Sequence, residues 1–355
     1  MSSANAAFRS NSSSQHLNIW STNLSARTGL EGNDMKKHIG NTVVAALLLL
    51  GSAAAQAVTL PGPLVSPQWL AQHRAEVNIV DVRHDPASFT KAPAFTTEKG
   101  VKSLTGFGGH IPGALLLDFG KVRVPRMVDG HEVKWMLPDR TAFQSLMRSI
   151  GVEAGRPTVI VPEGASGADL DMAARVYWSM KVYGDNHLAI LNGGTTGWLE
   201  QGLAYDTAAA PDSKGTWVAS APRMKYVASS RDVAKAIGTG VQIVDARPMP
   251  FYVGLARKPI VGSAGHIKGA VNLPPDVRTS AQGGTHYLTP AEYTSIFRHL
   301  DINASKPSIT YCNTGHLASG AWFVLSEVMK NPNTRLYDGS MYEWTAEKRP
   351  VVGLH

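Results

Sequence analysis

A chain of 355 residues with 43% apolar and 17% charged positions is long enough for two ordinary cores, and its composition excludes disorder over most of its length. The net charge of +7 is scattered, with no basic run and no Lys/Arg–aromatic interleaving, which argues against a nucleic-acid partner and for a solvated basic surface that attracts small anions. A single cysteine, Cys312, excludes an internal disulfide framework and a multi-cysteine zinc site; the 12 histidines show no H-E-x-x-H or comparable spacing, so no metal is implied.

Residues 1–34 are rich in Ser, Asn and Thr without apolar periodicity, and read as a disordered or untranslated extension. The pattern changes at Met35. A basic Met35-Lys36-Lys37-His38, the apolar run Val43–Leu50 and the small-x-small Ala55-Gln56-Ala57 have the layout of a secretory signal over residues 35–57, cleaved after Ala57. The apolar run is short for a bilayer span, so no stable membrane anchor is expected after cleavage. This reading puts the initiator at Met35 and the mature chain in a bacterial periplasm or outside the cell, where a lone thiol has no internal disulfide partner.

The chain then repeats itself. Asn78-Ile79-Val80-Asp81-Val82-Arg83 returns as Gln242-Ile243-Val244-Asp245-Ala246-Arg247, and Gly109-His110-Ile111-Pro112-Gly113-Ala114 as Gly265-His266-Ile267-Lys268-Gly269-Ala270. Leu191-Asn192-Gly193-Gly194 with Trp198 returns as Leu336-Tyr337-Asp338-Gly339 with Trp344. Motif pairs kept in order mean a duplicated domain, here residues 64–205 and 225–350, with the Ala/Pro/Ser/Gly-rich 206–224 as linker. In the second copy Val241–Asp245 and Ser308–Tyr311 read as buried strands, and Pro290–Leu300 and Leu317–Lys330 as helices. This alternation predicts an α/β fold in which each copy is a central, mainly parallel sheet flanked by helices.

The stretch Pro307–Ser319 runs from a strand through Cys312 and a glycine-containing loop into an apolar helix. Loop N–H groups and a helix N-terminus stabilise a thiolate, which makes Cys312 a nucleophile and a sulfur carrier. D-x-R, G-H-I-x-G-A, strand–Cys–loop–helix and Asp338-Gly339-Ser340-Met341-Tyr342-Glu343-Trp344 together resemble the tandem-domain rhodanese (sulfurtransferase) family over roughly residues 64–349.

The resemblance implies two α/β domains with the catalytic cysteine in the second only. Aligning Val159-Ile160-Val161-Pro162-Glu163 with Ser308-Ile309-Thr310-Tyr311-Cys312 sets Glu163 opposite Cys312, which leaves the first domain catalytically silent. The family's persulfide-holding loop falls on Cys312, Asn313, Thr314, Gly315, His316 and Leu317. The implied chemistry is ping-pong transfer of a sulfane sulfur from a small anionic donor to cyanide or a thiol, with thiosulfate foremost and 3-mercaptopyruvate, polysulfide or a protein-bound persulfide as the open alternatives. Its intermediate is the cysteine persulfide, with no cofactor.

The chain departs from the family around the donor. Thiosulfate-type members place basic residues directly after the cysteine, where this loop has Asn313 and Thr314; the family's substrate-binding arginine, four residues beyond the D-x-R arginine, falls on Phe251. A protonated His316, or Arg247, Arg257, Lys258, Lys268 or Arg278, could supply the anion contact instead. His316 is a candidate for touching substrate or tuning the thiol.

Residues shared by both copies are read as structural. His110 and His266 bond nearby backbone, Asp81/Arg83 and Asp245/Arg247 form a repeated ion pair, and Trp198 and Trp344 plug the cores. The alternative function is a non-catalytic sulfur-relay or binding scaffold. Phosphatase or arsenate reductase chemistry is disfavoured, because those loops are one residue longer and end in an arginine that Leu317-Ala318 does not offer.

Overall fold

Two five-stranded sheets organise the protein. The computed structural model describes residues 58–354 apart from 99 and 282, so the extension expected over 1–34 and the export signal expected over 35–57 lie outside the described residues. The first sheet uses β1 (Leu64–Val65), β2 (Asn78–Arg83), β3 (Leu115–Asp118), β4 (Thr158–Val161) and β5 (Leu188–Leu191), in the order β1-β5-β4-β2-β3. The second uses β6 (Val227–Ala228), β7 (Gln242–Asp245), β8 (Val271–Asn272), β9 (Ser308–Tyr311) and β10 (Thr334–Tyr337), in the matching order β6-β10-β9-β7-β8. Every pairing in both is parallel. The inner strands β2, β4, β5 and β9 are buried at every position, and β7 and β10 at all but one, which is why they read as continuous apolar runs rather than alternating ones.

The register corrects the alignment of the two copies. Asp81 pairs with Val161, and its counterpart Asp245 pairs with Tyr311. Pro162, not Glu163, therefore stands where the second copy has Cys312. The hydrogen bonds agree: the Pro162 carbonyl accepts from Thr195 N and the Cys312 carbonyl from Met341 N, at equivalent points of each repeat. Two apolar strand patterns can slide past one another in sequence, whereas sheet hydrogen bonds cannot.

Helices start where caps allow. Thr289 and Glu292 form a capping box around Pro290 at the head of the helix Pro290–His299, one residue short of its expected end. The helix expected over 317–330 is α-helical only as His316–Phe323, here αC, and continues as π-turns over Val324–Val328. Glu327 in this wider segment accepts from Tyr177 Oη (2.9 Å) and Lys181 Nζ (2.8 Å) of the first domain.

The helix αN, Gly167–Val182, packs against αC, so that Trp178, Trp322, Phe323 and Leu325 share one core drawn from both copies. Each such side chain contributes about 1.5–3 kcal/mol by burial. The helices approach closely at Gly320, where an added Cβ would strike Asp171 and Arg278. Those two residues pair across the domains at 2.5 and 3.0 Å, both almost fully buried. No helix among the described residues is long and apolar enough to cross a membrane.

Two hairpins at the same place in each copy reach over to the other domain. After β3, Val124–Val128 and His131–Met136 lead to Leu137, whose N–H donates to Asp338 (2.7 Å). After β8, Thr279–Ala281 and Thr285–Tyr287 bring the Thr285 N–H to the Gly164 carbonyl (2.8 Å). Gly320→Ala is expected to destabilise the protein by about 3 kcal/mol, because it overpacks the helix crossing and parts a buried ion pair. Urea unfolding with a change below about 0.5 kcal/mol would contradict this account.

Candidate active site

Strand β9 delivers Cys312 to the floor of the site. Tyr311, the last strand residue, donates its hydroxyl to Asp245 (2.7 Å) and accepts from Ile267 N (3.1 Å), which fixes the strand end. Cys312 follows with 1% exposure. Gly315 takes a left-handed φ of +78° just before αC, and a side chain there would collide with Asp338 and Arg175.

The underside of the loop is bonded to the segment after β10. Ser340 Oγ accepts from Cys312 N and Gly315 N, both at 3.1 Å, and donates to the Tyr337 carbonyl (2.8 Å). Met341 N and Tyr342 N donate to the Cys312 and Asn313 carbonyls at 3.0 Å. The N–H groups of Asn313 and Thr314 make no hydrogen bond among the described residues, which leaves donors for an anion at the sulfur.

The Asp338-Gly339-Ser340 motif carries the family resemblance in sequence. In the structure it is also the support of the cysteine loop, a role that sequence reading missed. Asp338 is in turn held by Arg175 of αN and by Leu137 N, both from the first domain.

The candidate cations divide sharply. Arg247 is buried against Asp245 (2.5–3.1 Å) and the Gly265 carbonyl (2.8 Å), and Arg278 against Asp171. Both charges are already countered. Arg257 is exposed and bonds the Val261 carbonyl (2.9 Å), while Lys258 and Lys268 are exposed; no contact brings any of the three to the cysteine loop. Leu317 is half-buried against the core.

His316 does reach the site's edge. Its ring lies 5.0 Å from Phe119, and Nε2 faces the Ala168 carbonyl at 3.2 Å. Burial, then Arg123, pushes its pKa down to about 3. A neutral imidazole bonded to a carbonyl carries its proton on Nε2, so His316 does not supply the charge that its position in the loop suggested.

One cation was not foreseen. Arg123 of the first domain rests over the Phe119 ring (4.6 Å), with Nε buried and without a partner. Burial, reinforced by Arg175, pushes it down to about 10, while Cys312 and Asp338 act in the opposite sense. Nothing in its local sequence marks it, because its position at the cysteine depends on how the domains dock.

Residues shared by both copies behave as scaffold. His110 and His266 bond the Phe89 and Tyr252 carbonyls (2.9 and 2.8 Å) and stack on those rings, at 3.6 and 4.1 Å between centroids. Asp81–Arg83 repeats Asp245–Arg247. Trp198 and Trp344 are each 1% exposed and bond the Ala204 and Pro350 carbonyls.

Two outcomes are expected from these contacts. Ser340→Ala, which strands two buried N–H groups, should cost about 1–3 kcal/mol of stability and lower turnover by at least tenfold, measured by urea unfolding and initial rates. His316→Gln should leave the pH–rate profile unchanged between about pH 5 and 8, because the native ring is already neutral there; loss of a limb near pH 6–7 would refute it.

The rhodanese-like domain model matches residues 66–201 and 229–347. The 3-mercaptopyruvate sulfurtransferase of Escherichia coli (strain K12) is 28% identical over 285 residues, covering 79% of this chain and 94% of that protein. A putative thiosulfate sulfurtransferase of Saccharopolyspora erythraea is 30% identical over 254 residues, covering 70% and 84%. Among solved structures, SseA from Escherichia coli superposes with a TM-score of 0.63 at 26% identity, over 79% of this chain and 98% of that one. EanB in complex with ergothioneine superposes at 0.66 with 20% identity, over 82% and 70%, a likeness of fold alone. With both copies matched and the cysteine turn in the second, the chain belongs to the rhodanese-like family as a tandem-domain member.

Proposed function

We propose that the protein is a sulfurtransferase carrying sulfane sulfur on Cys312, from a small anionic donor with thiosulfate foremost to cyanide or a thiol. The observation that supports this reading most is the difference between the copies. Both have the strand–loop–helix turn, yet only the second has a thiol, and there two loop N–H groups are left unbonded beside it. Pro162 in the first copy cannot form a persulfide.

The Cys312 thiolate attacks the outer sulfur of thiosulfate. The Sγ–S bond forms, the S–S bond of the donor breaks, and sulfite leaves with the electron pair. Cyanide then attacks the outer sulfur, so that the C–S bond forms and the Sγ–S bond returns its pair to the thiolate. No electron enters or leaves from outside, so no cofactor is required. With 3-mercaptopyruvate, named for several relatives, the C–S bond breaks instead and the pyruvate carbanion equivalent takes up a proton. The unbonded N–H groups of Asn313 and Thr314 accept the negative charge in either state of the sulfur. Residues 35–57 support export of the protein to the periplasm or beyond as part of the same proposal.

The 1% exposure of Cys312 favours one other reading, a relay scaffold that holds sulfur without turning it over. One assay decides. Thiosulfate should load Cys312 with one extra sulfur atom by mass spectrometry, and cyanide should release it as thiocyanate; Cys312→Ser should do neither. Loading without release favours the scaffold. Absence of loading from thiosulfate, 3-mercaptopyruvate and polysulfide sinks the transfer reading.

A further inference from the structure

The two inter-domain hairpins carry different residues at matching points. Asp81 pairs with Leu116 and Asp245 with Asn272, and Val122 N and Arg278 N donate to the Phe119 and Pro275 carbonyls, so the counterpart of Arg278 is Val122 and that of Arg123 is Thr279. Each hairpin crosses to the other domain. Arg278 meets Asp171, the fifth residue of αN, and is neutralised there. The fifth residue of αC is Gly320, which has no side chain. Helix αC carries no carboxylate at all, so nothing on it answers Arg123 as Asp171 answers Arg278.

Arg123 makes no hydrogen bond or ion pair among the described residues, and its Nε is buried. The residue as a whole is half-buried, and its buried nitrogen, reached by neither solvent nor a protein acceptor, is costly unless a ligand answers it. It lines a cavity of about 390 Å³ with His84, Phe119, Pro125 and Trp135. Lys134 and Glu132 are exposed members of the same lining, and Arg123 is its half-buried cation.

The cavity adjoins the cysteine loop at two points. Trp135 packs edge-on against Tyr342 (5.7 Å between centroids), whose N–H bonds the Asn313 carbonyl, and Phe119 packs against His316. Asn313 Oδ1, on the loop itself, is likewise buried without a partner.

We propose that Arg123 binds the anionic end of the sulfur donor, so that the domain without the cysteine supplies the contact Phe251 cannot make in the other. This rests on the sulfur-transfer reading of Cys312 and names its donor-binding residue. The ligand class is a small anion carrying the transferable sulfur, with a carboxylate or sulfonate-like end that a planar guanidinium can hold through two N–H groups. A volume of this size with two aromatic walls admits such an anion.

The test separates binding from transfer. Calorimetric titration of thiosulfate and of 3-mercaptopyruvate into Cys312→Ser, with and without Arg123→Ala, reads anion binding with no turnover. Arg123→Ala should weaken at least one donor about 10- to 100-fold, and Arg123→Lys should recover part of the loss by restoring the charge without the fork. In the protein with Cys312 intact, the donor KM should rise by a similar factor while kcat changes much less. Unfolding midpoints for both variants should stay near the parent's, because the half-buried Arg123 has no hydrogen-bond or ion-pair partner to leave stranded. Affinities and donor KM within about twofold of the parent would overturn the assignment, even if Cys312 still carries sulfur. Failure of Cys312 to load sulfur, with the Arg123-dependent titration intact, would overturn the transfer reading and leave the anion site standing.

Discussion

The cysteine loop depends on a buried ion pair that belongs to neither domain alone. Arg175 of αN binds Asp338, with side-chain exposures of 0% and 4%. In so dry a place the Coulomb attraction is large, but so is the desolvation cost, and the net contribution to stability is small. What the pair confers is position. Removing one member strands the other at about 3–5 kcal/mol, so the two cannot drift apart. The second oxygen of Asp338 takes Leu137 N, and two residues later Ser340 holds the N–H groups of Cys312 and Gly315. The copy without a thiol thus determines where the thiol of the other sits.

The same duplication shows one turn covered by its hairpin and the other with a pocket beside it. On the first-domain side the Thr285 hairpin closes over the turn: Gly284 lies against the Gly193 carbonyl and Gly197, the His286 ring lies over Gly193, and Thr285 N caps the Gly164 carbonyl. A Cβ at Gly193, Gly197 or Gly284 would meet this contact at under 3.0 Å, so the cover is tight. On the other side the equivalent hairpin touches the turn through Leu137 and Trp135 and leaves a cavity between them and Arg123. Pro162 in the cysteine's place and a hairpin seated on its loop are two losses at one site, while the partner kept both the thiol and the space.

The sheets were legible because their central strands are buried on both faces, and runs such as Ile79-Val80 and Thr158–Val161 cannot be written otherwise. Cys312 was legible for a related reason: strand, glycine loop and apolar helix are local patterns, and the cysteine occurs once. The offset that put Glu163 in place of Pro162 arose where pattern ends and pairing begins, in a turn whose alignment only sheet hydrogen bonds settle. Arg123, Arg175 and Asp171 were out of reach because their meaning comes from residues about 110–190 positions away, brought near by the packing of αN on αC. Arg247 and Arg278 looked available for the converse reason. Their counterions Asp245 and Asp171 spend the charge, and for Arg278 that counterion comes from the other copy.

Charge placement fits the proposed role of Cys312 as a sulfur carrier. A cation in contact with the thiolate would stabilise it, yet would also hold back the attack and the release of the outer sulfur, since nucleophilicity falls as the thiolate is stabilised. The structure distributes the field instead. His316 is neutral, and Arg175, Arg247 and Arg278 are each countered by a carboxylate. What remains unanswered is two loop N–H groups beside the sulfur and one guanidinium in the adjoining cavity. The N–H dipoles are short-ranged and lie in the cysteine loop, while the full charge lies in the adjoining pocket. In the proposed reading, such a division between a weak local field and a displaced cation would let one site attract an anion and still give up its sulfur.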